Sequence, residues 1–237
     1  MSRLFSFLFW WADLLACHAY SFQSFSVGQV LQASHMNQVE VNIRDHVHGT
    51  ASVVALTGAQ GASLVFISQG VASNSASIDF TSIGSYASYM IILDRVIPGT
   101  DATKLLMRVS LGGSFRDTGS DYTNVNFRMA PSGSGAEGNE VGGGATALNI
   151  SSDGETLGTG TDEIFNAIIW TGNMAQSSAK KRFIWDVSFY SATPVSLRHS
   201  GAGAFVQANT AVDGFRFLMS SGNIASGTFT LYGVRSA

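Results

Sequence analysis

The chain has 237 residues, of which 45% are hydrophobic and only 12% charged, with a formal net charge of -3. That charged share is about half of what a soluble globular domain carries, so much of the surface is neutral or covered by other chains. The weak acidic balance excludes the electrostatic footprint of a nucleic-acid-binding or anionic-membrane-binding protein, and the lone Cys17 excludes an internal disulfide and any two-thiol redox or metal motif.

The first predicted element is an apolar leader, in which Leu4, Phe5, Phe7, Leu8, Phe9, Trp10, Trp11, Leu14 and Leu15 follow Arg3. Asp13 interrupts the apolar centre a secretory signal needs, and the stretch falls short of the ~20 apolar residues of a membrane span. The expectation is therefore an aromatic anchor, with Phe5, Phe7, Leu8, Phe9, Trp10 and Trp11 shielded by a partner subunit, because exposing them would invite aggregation. Cys17 reads as a small buried apolar residue.

Residues 32–47 read as a short helix with Ser34 as N-cap and Met36, Val39, Ile43 and Val47 at three-to-four spacing among polar residues. A helix this short is marginal alone, so Met36, Val39 and Ile43 are expected to pack as a seam against copies of themselves or against the rest of the chain. The boundary between this attachment segment, 1–50, and a β domain, 51–237, falls where His46 to Thr50 break the pattern.

From residue 53 the apolar period changes to two, with 26 Gly, 3 Pro and many Ser, Thr and Asn as punctuation. The half-buried strands read this way are Leu105 to Leu111, Val125 to Met129, Phe183 to Phe189, Phe215 to Met219, and Phe229 with Leu231. Tyr89 to Leu93 and Ile164 to Trp170 are continuous apolar runs, predicted to be buried on both faces. Roughly ten short strands without intervening helix patterns predict a mainly β fold, an antiparallel sandwich of jelly-roll type. Pro131 to Thr146, rich in Gly and Ser without apolar period, reads as a long loop.

The chemistry-bearing motifs are sparse. No G-x-S-x-G elbow, H-E-x-x-H or P-loop is present. Gly133, Gly135 and Gly138 satisfy G-x-G-x-x-G, but no helix pattern follows to receive a pyrophosphate, so the loop reading holds. Asn149, Ser151, Asp153 and Gly154 begin a calcium-loop rhythm that no closing acidic ligand completes. His46 and His48, two apart, would point to one side of an extended chain; a threefold axis would gather the pair from every copy into an octahedral transition-metal site, while surface histidines ending a helix are the plainer reading. No other cofactor is expected, and no enzymatic activity.

The stretch Phe25, Ser26, Val27, Gly28, Gln29, Val30, Leu31, Gln32, Ala33, Ser34, His35, Met36, Asn37, followed by Asn42 to Asp45 and His46, His48 and Gly49, resembles the N-terminal attachment motif of tailed-bacteriophage minor structural and tail-fibre proteins. Ile78 to Phe80, Ser88 to Leu93, and the closing run Gly222 to Gly233 with its Ser226, Gly227 turn and Leu231, Tyr232, Gly233 end, are similar to β-sandwich domains of phage fibre and particle proteins. The resemblance implies a virion component, often trimeric, assembled in the host cytoplasm, with other tail, baseplate or capsid proteins as partners, without nucleic acid or a membrane span. The reading that follows is a fibre or spike subunit that attaches by its N-terminus and presents the sandwich to the host surface. A capsid decoration protein and a glycan depolymerase are the alternatives. If a host glycan is bound, Tyr122, Trp170 and Tyr190 are the aromatic candidates, although core or interface is the plainer reading of each.

Overall fold

The computed structural model describes residues 64–129, 137–151, 155–193, 195–207 and 210–235. The predicted leader, the helix over 32–47 and its Met36, Val39, Ile43 seam, and the His46, His48 pair lie outside the described residues. Among the described residues there is no helix. The strands, in chain order, are β1 (Leu64–Ser75), β2 (Ile78–Thr81), β3 (Ser88–Pro98), β4 (Leu105–Leu111), β5 (Ser114–Phe115), β6 (Tyr122–Met129), β7 (Glu137–Ala145), β8 (Leu148–Asn149), β9 (Phe165–Gly172), β10 (Lys181–Tyr190), β11 (Ser196–Phe205), β12 (Gly214–Met219) and β13 (Ile224–Val234).

Every pairing between these strands is antiparallel. An eight-stranded sheet runs β1-β13-β3-β9-β10-β11-β6-β7, and a five-stranded sheet runs β2-β12-β4-β5 with β8 also on β4. One core lies between them. Tyr89 of β3 meets Phe215 of β12 edge to face at 5.4 Å, and Phe217 of β12 meets Phe229 of β13 at 5.2 Å. Tyr122 ties the sheets by hydrogen bonds as well: the Val109 amide donates to its hydroxyl at 2.9 Å, and the hydroxyl donates to the Arg116 carbonyl at 3.0 Å. Burial pushes its phenol above the ordinary range, so it stays protonated at any physiological pH.

Where one strand face meets this core and the other meets solvent, period-two alternation follows. β10 does this most cleanly, burying Phe183, Trp185, Val187 and Phe189 and exposing the residues between them.

Three expectations change. The apolar run at Ile164 to Trp170 is not buried on both faces: Phe165, Ala167 and Ile169 face the core, while Ile168 and Trp170 are exposed. The alternation at Val125, Phe127 and Met129 is real but inverted, because these three point outward and Tyr122, Asn124 and Asn126 point in. Asn126 can occupy that inner face because it finds partners there in Trp185 and Asn149. The predicted loop over 131–146 contains β7, which pairs with β6 from Glu137 opposite Arg128 to Ala145 opposite Tyr122. Its glycines carry no side-chain period, so only the backbone pairing identifies it as a strand.

Candidate functional site

The outward face of the eight-stranded sheet follows from its register. Reading across the strands, Phe66 stands beside Tyr232, Tyr232 beside Met90, Met90 beside Trp170, Trp170 beside Ile184, Ile184 beside Ala202, and Ala202 beside Val125. Apolar or aromatic side chains thus form an unbroken row at right angles to the strands. Phe66 and Tyr232 meet edge to face at 6.0 Å. One step along the strands the next row holds Thr230, Ile92, Ile168, Asp186, Ser200 and Phe127. Phe66, Val71, Val125, Phe127, Met129, Ile168, Trp170 and Ile184 are all between 39% and 66% exposed.

Beside the bulky row lies a shallow depression of about 450 Å³, whose lining includes Ile92, Asp94, Asn166, Ile168, Ser188 and Arg198. On its rim Arg198 grips Asp186 with both arms of its guanidinium, at 3.1 and 2.5 Å, and Ser200 donates to the same carboxylate at 3.2 Å. This pairing holds the Asp186 carboxyl below the usual carboxylate range, so the pair is zwitterionic and locally neutral. The Asn166 amide oxygen accepts from the Arg95 main-chain N–H at 2.9 Å, closing a bulge where Arg95 takes a positive φ of 53°.

The inward face beneath β6, β10 and β11 carries a polar cluster. The Trp185 indole N–H donates to Asn126 Oδ1 at 2.9 Å, Asn126 Nδ2 donates to the Asn149 carbonyl at 3.3 Å, and Ser151 Oγ donates to Asn149 Oδ1 at 3.0 Å. Gly201 and Gly203 of β11 make room for it: a Cβ on Gly201 would overlap the Trp185 indole, and one on Gly203 would stand 2.9 Å from the Thr123 carbonyl. His199 is fully buried, with neither ring nitrogen in a hydrogen bond of good geometry. Burial, then the charge of Arg128, lowers its pKa to about 4, partly opposed by the Ser151 main chain, so the ring is neutral. Arg128 itself is paired with Glu155. At the start of β10, the Lys181 ammonium is enclosed and donates to the carbonyls of Gln176 and Ala179, and burial lowers its pKa.

Trp185, Asn126, Asn149 and Ser151 hold one another, and none of these buried polar groups is arranged as a nucleophile with a base. Among the described residues, no cluster of three or more His, Cys, Asp or Glu could hold a metal ion. Asn149 and Ser151, from the partial calcium rhythm, are buried and tied to each other and to the Leu105 amide. Of the aromatic candidates for a glycan, Tyr122 is wholly withdrawn into the core, Tyr190 is half-buried at the end of β10, and Trp170 stands in the exposed row. The structure brings Trp170 together with Ile184, Val125 and Phe66, which the strand patterns alone do not single out. The available signal was that β9 and β10 carry large apolar residues on both phases of their alternation, more than one core face can use.

The sequence matches no protein-family model and no curated protein.

Proposed function

We propose that this chain is a structural subunit of a tailed-bacteriophage particle, of the tail-fibre or spike type, attached by its N-terminal segment and presenting its β domain for host-surface binding. In this reading the two sheets form a jelly-roll-like sandwich and residues 32–47 a short attachment helix. The observation that carries the assembly part is the outward face: a broad apolar row crosses the eight-stranded sheet of a chain with only 12% charged residues. Such a face is unfavourable in a solitary soluble protein and ordinary in a subunit that is covered by others. The attachment motif resembled by residues 25–49 supports the particle assignment.

Quantitative mass spectrometry of purified particles from a lysate expressing the gene tests it. The expected result is a few copies per particle, lost together with the tail. Hundreds of copies tracking the capsid would replace the fibre reading with a decoration subunit, and absence from the particles would overturn the assignment. Release of oligosaccharide from host capsule by the purified chain would instead indicate a depolymerase.

A further inference from the structure

The exposed face carries a shape and a charge pattern that indicate its occupant. Scaled by their exposures, the eight outward apolar side chains offer on the order of 700 Å², taking roughly 150–250 Å² for a whole large side chain. That is above the ~300–600 Å² of an ordinary monomer's largest patch and near the ~800 Å² per partner that a standard protein interface buries.

The relief of this face is a ridge beside a hollow. The ridge is the row through Tyr232, Met90, Trp170, Ile184 and Val125; the hollow is the depression floored by Ile92 and Ile168, each two residues along its strand from the ridge. A surface with both features side by side is self-complementary under a twofold axis that crosses the strands, because each ridge then enters the other hollow. Such an axis keeps the strands of the two copies close to aligned, which is how β-sheets pack face to face.

The charges agree. Asp186 and Arg198 neutralise each other. Among the described residues of this face, Arg182, at the ridge end of β10, and Asp94, at the hollow end of β3, are exposed opposite charges with only β9 between their strands, and Arg95 is exposed beside Asp94. Reversing one copy end for end brings the Arg182 of each toward the Asp94 end of the other, so the pattern attracts a copy of itself.

We infer that the outer face of the eight-stranded sheet is the contact surface for a second copy of this chain, packed face to face with strands reversed. The inference concerns the β domain alone and stands whether or not the particle assignment holds.

Sedimentation equilibrium of the full chain, in the wild type and in four variants, tests it. Ile184→Glu, placed in the ridge, weakens self-association by at least about a hundredfold, while Arg182→Asp and Asp94→Arg each weaken it by about tenfold. Arg182→Asp/Asp94→Arg in one chain restores it to within about threefold, since the swapped charges meet again; a mere folding defect would not be rescued. Association by residues 1–63 would not respond to any of these substitutions. Singles without effect, a double variant weaker than either single, or a wild type that stays monomeric while its Trp170 fluorescence responds to glycan or to lipid vesicles would each overturn the inference.

Discussion

His199 shows how one side chain sets an acid limit on stability. Unfolded, its ring takes a proton near the ordinary pH of about 6.5; folded, it resists protonation down to about 4, because the charged form would be buried beside Arg128. Between those values the unfolded chain binds more protons, so stability is full above pH 6.5 and falls as pH drops through the window. His199→Leu removes no well-formed hydrogen bond and should flatten this limb: at pH 5 the variant should be ~1–2 kcal/mol more stable relative to wild type than at pH 7, read from thermal melts at both pH values. Arg216 is a second residue-scale case. It forks onto Asp79 at 2.8 and 2.6 Å and lies 4.1 Å over the Phe115 ring. Both partners are about a third exposed, so Arg216→Ala should cost only ~1 kcal/mol in urea unfolding, and Arg216→Lys nearly as much, because an ammonium cannot form the fork.

At the scale of strands, β10 and β11 fit by size exclusion: Trp185 lies where Gly201 and Gly203 supply no side chain. Gly201→Ala pushes a methyl into the indole and onto Asn126 Oδ1, and should destabilise by ~2–3 kcal/mol or prevent folding, with the Trp185 emission shifted to the red as the ring is displaced. Edge strand β1 presents the opposite situation. It runs from Leu64 to Ser75 without a charged residue or proline, carries exposed Phe66 and Val71, and pairs within its sheet with β13 alone among the described residues. Edges of that kind recruit other strands. Val71→Lys should leave the unfolding free energy within ~0.5 kcal/mol and raise the concentration at which turbidity appears on warming.

For the whole molecule, the distribution of apolar residues separates two tasks. Those on the inward faces hold the sheets together; those on the outward face of the eight-stranded sheet contribute little to a single copy, because they stay in water when it folds. Ile184→Glu should therefore lower self-association while leaving the melting midpoint of dilute protein nearly unchanged, whereas Ile169→Glu, on the inward phase of β9, should abolish folding. The contrast between residues of two neighbouring strands, β9 and β10, checks which surface serves folding and which serves assembly.

The amino-acid sequence by itself determined the mainly β, antiparallel character of residues 64–235, because alternation and turn-forming residues are local and act within a few positions. It also determined most core phases, as at Phe183 to Phe189. Which face of Val125 to Met129 turns inward was decided by tertiary structure, since Asn126 is buried where Trp185 and Asn149 supply its hydrogen-bond partners. The strand identity of Glu137–Ala145 was likewise decided by pairing with β6, glycine having no side chain to reveal a phase. The exposed row through Trp170 and Ile184 depends on register between strands distant in the chain, and no local pattern encodes that adjacency.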